Sequence, residues 1–447
     1  MMPVSASHLT GLTSDRPVWI VWLLVGLTLA FSLTPFLTVG SAGLEASHIN
    51  EGSALRQLQY GALFALAFWL VWRRPAATLM QLRAINPFLI VVLCYCVLSM
   101  LWSVAPMTTF KRVVLQAGLL LTAMAIAPPV VHPRHMLRTV KGTLTVLLAV
   151  SCVVALIFPK IGVTYELGGA WRGIMWQKND MGSVAGFASM LWLRDWLTTR
   201  EGSWRALLAL VFCLFMLVMA KSATSLLVTI IGMTLYLLLR RRLLAGRHAG
   251  ALVFLALALP LLYAFLGFFL MTGRLPQWSD LTYAVTAWFD KSPDLTGRGD
   301  IWDLIMLSIA QHPLLGAGYA AFWLDGGGPA EYIGRTLGWM PTHAHNGFVD
   351  ILNELGGLGL VIVLAMLAWH MVSIARLALI DRDSAAMHAS IFAVIVISNF
   401  SESSLLRHVA FPNILFMLSS LAITSQLACA QRAAPRMPAQ SSSARPA

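Results

Sequence analysis

The feature that most constrains this chain is a succession of long apolar runs separated by short basic clusters. A bilayer core about 30 Å thick takes about 20 apolar residues as one helix. Runs suited to this lie at 18–38, 57–72, 88–104, 113–131, 142–159, 181–197, 206–220, 222–239, 249–272, 356–375, 386–402 and 409–428. They predict an all-α polytopic membrane protein of about twelve transmembrane helices. The runs 181–197 and 206–220 are short, and Arg194 and Lys221 are placed to snorkel to an interface. Only 11% of residues are charged and 58% are hydrophobic, against about one quarter charged in average soluble domains. That excludes an ordinary soluble enzyme.

Lys and Arg outnumber Asp and Glu by 31 to 19. No long basic run or basic face accompanies the excess, so nucleic acid is excluded as a partner. In a membrane protein such residues gather in cytoplasmic loops. With the N-terminus inside, 19 of the 31 fall on the inner side, in clusters such as Arg73-Arg74, Arg134 to Lys141 and Arg240-Arg241-Arg242. This places both termini in the cytoplasm of a bacterial inner-membrane protein. The organisation expected is helices 1–9 over residues 1–272, one large periplasmic loop over 273–355, helices 10–12 over 356–431, and a disordered cytoplasmic tail over 432–447. Within the loop, Ile301 to Ala310 reads as a short amphipathic helix able to rest on the membrane surface. The polar start, Met1 to Arg16, precedes a run too long for a signal-peptide core. The five cysteines lie in or at the end of apolar runs, so no disulfide framework or zinc spacing is expected.

The cations left outside are informative because several of them crowd into loops 160–180 and 273–355. They include Trp171-Arg172-Gly173, Lys178-Asn179, Lys221 at an outer hairpin, and Thr296-Gly297-Arg298. Guanidinium groups bind phosphate oxygens in bidentate fashion, although an arginine beside glycine also serves as a plain turn residue. His343-Ala344-His345-Asn346-Gly347 stands just before the run at 356–375. Histidine exchanges protons near neutral pH, and two interfacial histidines also serve simply as hydrogen-bond partners. Asp350 and Glu354 follow at helical spacing. No third histidine or carboxylate stands at metal-ligand spacing, so no metal is expected. Most of the loop tryptophans fit an interfacial aromatic belt, and Gly326-Gly327-Gly328 carries no phosphate-loop motif.

These residues resemble a family. His345-Asn346 followed by Gly356 and Gly359 is similar to the histidine signature of the O-antigen ligase and O-antigen polymerase superfamily. Trp171 to Asn179 is similar to the arginine and lysine-asparagine segment of exopolysaccharide polymerases. Thr296-Gly297-Arg298 with Ile301-Trp302, then His312 to Tyr319 and Phe322-Trp323, resembles their long-loop signature. The resemblance runs from about residue 160 to 375, with the helix pattern extending it over the whole chain. Two details differ from family patterns: Arg172 meets Gly182 after nine residues, and Trp302 stands where some ligase loops have leucine.

The resemblance implies metal-independent, cofactor-free transfer of a glycan from undecaprenyl diphosphate to an acceptor hydroxyl on the periplasmic face. It implies His345 as general base, Arg298 and Arg172 as a clamp on the diphosphate, and Lys178 and Lys221 as lesser contacts. Asn346 or Asp350 would orient the histidine ring, and His343 lies outside the matched signature. Polymerisation of exopolysaccharide or O-antigen repeat units is the leading reading, with a chain-length regulator and a flippase as candidate partners. Ligation to lipid A–core or protein is the alternative within the superfamily. A lipid-linked sugar transporter fits less well, because the runs hold few ionisable residues near the midplane.

Overall fold

The computed structural model describes residues 18–34, 54–127, 133–198, 203–240, 298–324, 327–407 and 409–433. The expected span 249–272, loop positions 273–297 and the tail beyond 433 lie outside the described residues. Every other expected span falls on a helix. In chain order these are α1 (Val18–Leu33), α2 (Ala54–Trp72), α3 (Pro75–Ala84), α4 (Pro87–Leu98), α5 (Pro106–Ile126) and α6 (Pro133–Ile157). After a two-stranded hairpin pairing Val163–Thr164 with Ala170–Trp171 come α7 (Lys178–Thr198), α8 (Trp204–Met219) and α9 (Ala223–Arg240). The last part holds α10 (Arg298–Gln311), α11 (Glu331–Leu337), α12 (Gly347–Ala378), α13 (Arg382–Ser398) and α14 (Phe411–Ala433).

The protein is an all-α membrane protein, but the helices do not by themselves support a count of twelve. Among the described residues, six helices are long and apolar enough to cross a membrane: α2, α5, α6, α9, α12 and α14. The pair α3 and α4, bent by 92°, makes a seventh if taken as one span, while α1 and α8 are shorter apolar helices. Helix α7 carries Lys178, Asp180, Arg194 and Asp195, and α13 has 17 residues that begin with Arg382 and Asp383. Helix α3 was not expected. It ends where Asn86 precedes Pro87, since proline disfavours helical backbone at the residue before it. Asn86 then caps α4 through its side chain and donates to Met366 O at 2.9 Å.

The two ends of the bundle differ in chemistry. At one end Asp383 of α13 accepts from Arg194 Nε of α7 and Tyr236 OH of α9, each at 2.7 Å, with Arg240 Nε at 3.3 Å. Lys141 of α6 pairs with Asp195 there and lies over the Trp192 ring. At the opposite end of α7, α9 and α13 stand Asn179, Ser225 and Ser398, which line a cavity of about 310 Å³.

Helix α10 forms where an amphipathic helix was expected, but its apolar face is not given to lipid. Ile301 and Ile305 are both 0% exposed, in a cluster with Phe322, Trp323, Ile333 and Ala344. The turn 317–323 and α11 cover them before a membrane could. Helix α12 begins at Gly347, earlier than the expected 356, and breaks at Gly356, whose φ is +68°. A break leaves backbone donors and acceptors unpaired. Here the loop after α10 takes them up. Ala317 and Gly318 N–H donate to Asn353 O and Glu354 O, each at 2.9 Å, and Gly357 N–H donates to Pro313 O at 2.8 Å. A side chain at 356 would meet the Leu314 carbonyl, so glycine is required there.

Candidate active site

His345 is fixed by its backbone. Its φ is +52°, a left-handed conformation that non-glycine residues adopt at some strain. A set of hydrogen bonds holds this turn. Asn346 caps α12, its Oδ1 accepting from Phe348 N–H at 3.0 Å and Val349 N–H at 3.3 Å. His345 N–H donates to His343 Nδ1 at 3.0 Å. Both oxygens of Asp350 accept from Ala344 N–H at 3.2 Å, while Trp302 Nε1 donates to Ala344 O at 2.8 Å. Asp350 is itself held by Trp323 Nε1 at 2.7 Å. Asn346 and Asp350 therefore hold the backbone that presents His345; they do not touch its ring.

The residue that joins this turn from elsewhere is Glu402. Its Oε2 lies 3.6 Å from His345 Nδ1 and 3.9 Å from His343 Nε2, and its Oε1 lies 3.6 Å from Arg298 Nη2. Asn179 Nδ2 donates to Oε1 at 2.8 Å. Glu402 reaches this place because Asn399 folds the chain after α13. Asn399 Oδ1 accepts from Ser404 and Leu405 N–H, and Asn399 O accepts from Gly347 N–H at 2.8 Å. A side chain at Gly347 would strike Asn399, which keeps the two turns in register.

The fold brings together His345, Arg298 and, from the lysine-asparagine segment, Asn179. Arg172 and Lys221 are placed on the hairpin instead. Arg172 Nε donates to Ile161 O at 2.9 Å, and Lys221 Nζ donates to Gly168 O at 2.6 Å. Gly173, at φ +59°, packs against Ser151 where a side chain would not fit.

His343 is more central than its place in the sequence suggests. It is 7% exposed and lines both main cavities. Burial first, and then the positive charge of Arg407, hold its imidazole well below the ordinary histidine range. The ring is therefore neutral. With Nδ1 accepting from His345 N–H, its proton sits on Nε2, facing Glu402. His345 Nδ1 is buried and has no hydrogen-bond partner in the described structure.

A cavity of about 310 Å³ opens beside this cluster, lined by His343, Glu402, Asn179, Asp180, Arg56 and Arg407 among others. A smaller one of about 60 Å³ lies behind it, walled by Asp350, Glu354 and Arg112. Ligand atoms of His343, His345 and Glu402 all lie within 4.8 Å of one another and could hold a metal ion. Sequence spacing did not reveal that set, because its third member arrives across the fold. Arg298 already compensates Glu402, so a dication would enter an electropositive surrounding.

Residues 208–364 match the family described as O-antigen ligase. That match spans a little over a third of the chain. The matched segment includes Arg298, His343 and His345, and it ends before Glu402 and Arg407. The chain is also 28% identical to the exopolysaccharide production protein ExoQ of Rhizobium meliloti (strain 1021). That alignment covers 65% of this chain and 66% of the relative, just under two thirds of its length. Both findings agree with the superfamily resemblance carried by the three motifs.

Proposed function

We propose that this protein is a glycosyltransferase that moves a glycan from undecaprenyl diphosphate to an acceptor hydroxyl, on the periplasmic face of the bacterial inner membrane. The observation that carries the reading is the convergence of His345, Glu402 and Arg298 beside a cavity of about 310 Å³. His345 accepts the acceptor's hydroxyl proton as the oxygen attacks the anomeric carbon. The bond from that carbon to the diphosphate breaks, and the electron pair leaves with the phosphate oxygen. Glu402 stabilises the positive charge that forms on the imidazole without taking its proton, as a carboxylate does behind a catalytic histidine. Arg298, and Arg172 once drawn from Ile161 O, meet the charge growing on the leaving diphosphate. Lys178 and Lys221 are lesser phosphate contacts. No metal enters this scheme, because guanidinium groups supply the charge.

The orientation rests on the basic clusters. The network of Arg194, Arg240 and Asp383 is assigned to the cytoplasmic end, which leaves the cavity on the outer side. Twelve spans, with 249–272 as the ninth, complete the topology. Similarity to an exopolysaccharide production protein favours polymerisation of repeat units, with a flippase and a chain-length regulator as partners. The family description favours ligation to lipid A–core as the second reading.

The test is reconstitution of the purified protein with a lipid-linked repeat unit and either free repeat units or lipid A–core as acceptor. Transfer abolished by His345→Ala in folded protein supports the reading, and no transfer from any polyprenyl diphosphate donor overturns it.

A further inference from the structure

The two cavities are separate spaces with one common wall, made by Thr342, His343, Ser403 and Arg407. Arg407 is the cation of that wall. Among the described residues its guanidinium makes no hydrogen bond, and no carboxylate oxygen lies within 4.0 Å of it. Arg298 by contrast is taken up by Glu402, and Arg112 donates to Ala320 O. A half-buried guanidinium without a contact partner is an available site for an oxyanion.

The backbone at this position is built to present the side chain. Leu406, just before it, has φ +59°. That turn is held from both sides: Leu406 N–H donates to Asn413 Oδ1 at 3.2 Å, and Tyr319 OH donates to Leu406 O at 2.6 Å. Asn413 is itself tied to Gln116 of α5 at 3.1 Å. The larger cavity is also lined by Ser183 and Ser403, whose hydroxyls can donate to phosphate oxygens.

We propose that Arg407 binds the diphosphate of the lipid-linked donor in the larger cavity, at the wall it shares with the smaller one. This rests on the transfer reading above and adds a phosphate-binding residue outside the matched family segment. A polyprenyl diphosphate lying there meets Arg298 beside the histidine turn and Arg407 at the common wall. The leaving group then meets a second guanidinium, whose bidentate fork restricts its rotation.

The test is calorimetric binding of farnesyl diphosphate to the full-length protein in lipid nanodiscs, with farnesol as the control. Arg407→Gln should weaken farnesyl diphosphate binding tenfold or more while farnesol binding is unchanged. Arg407→Lys should recover part of the loss, since an ammonium keeps the charge and lacks the fork. If native protein binds farnesyl diphosphate and folded Arg407→Gln binds it equally, the inference falls and the transfer reading stands. If native protein does not bind it at all, both fall. Should Arg407→Gln not fold, Arg407→Lys decides: affinity within twofold of native overturns the assignment, and a larger loss supports it. A variant that loses binding of a uronic acid oligosaccharide but keeps farnesyl diphosphate also overturns it, by moving the contact to the glycan.

Discussion

His345 Nδ1 lies 3.6 Å from Glu402 Oε2, a buried ring nitrogen facing a carboxylate from the turn after α13. A neutral imidazole in this setting directs its Nδ1 proton at the carboxylate and leaves Nε2 free to accept one. Glu402→Gln keeps the shape and removes the charge that stabilises imidazolium. Transfer should fall by about 10- to 10³-fold, short of the 10²–10⁴ ascribed to a general base itself. His345→Ala should lose at least two orders of magnitude. Both variants should bind the lipid-linked donor nearly as the native protein does. Single-turnover transfer and equilibrium donor binding, measured on the same preparations, check this.

His343→Ala removes the acceptor for His345 N–H, in a turn already strained at φ +52°. The position lies outside the histidine signature, yet its replacement should not be silent. Activity should drop about tenfold, and the lost hydrogen bond should destabilise the protein by about 0.5–1.5 kcal/mol. Thermal melting alongside the transfer assay distinguishes this from a role in chemistry, which would leave the melting temperature unchanged.

Arg298 and Arg172 are expected to differ. Arg298 stands 3.6 Å from Glu402, inside the cluster, whereas Arg172 Nε donates to a backbone carbonyl on the hairpin. Removing a charge-assisted contact is worth about 1.5–3 kcal/mol, or roughly 10- to 150-fold in donor affinity. Arg298→Ala should show that loss. Arg172→Ala should show a smaller one, because donor binding must first compete with Ile161 O. Equal losses would place the hairpin as close to the diphosphate as α10 is.

Much of this arrangement is legible in the chain, and the rest is not, for identifiable reasons. Helices follow from apolar runs because hydropathy along about 20 residues is a local property. The glycine at 356 is legible as part of a signature, and the fold supplies its reason: a helix break that docks the loop from Pro313 to Gly318. Ile301 and Ile305 announce a buried face without saying what buries it, and protein rather than lipid does so. Glu402 is the last residue of the apolar run 386–402, and no motif singles it out. Its meeting with His345 depends on Asn399 folding one turn and Gly347 admitting it, a tertiary contact with no spacing to betray it. Arg407 is hidden in the same way.

Gly356→Ala tests whether the break is obligatory. Its φ of +68° is costly for alanine, and the added carbon meets the Leu314 carbonyl. Gly338, at φ +75° with open space around it, carries the conformational term alone. Gly338→Ala should lower stability by about 1 kcal/mol, and Gly356→Ala by clearly more, with little folded protein recovered. Comparable melting temperatures for the two variants would show that the loop from Pro313 does not depend on the break.

Chelation separates two uses of the same three side chains. His343, His345 and Glu402 are spaced to hold a metal ion, yet Arg298 sits 3.6 Å from the shared carboxylate and Asn179 donates to it. A dication entering there would displace the guanidinium or be repelled by it, and His345 would lose its freedom to accept a proton. Under the arginine mechanism, transfer by purified protein should survive EDTA with its rate within about twofold of the untreated enzyme, far less than the several kcal/mol a Lewis-acid metal supplies. The melting temperature should be unmoved by zinc or manganese added in its place. Activity lost with chelator and restored by one divalent ion would instead make the trio a metal centre, and Glu402→Gln would then abolish the ion's effect.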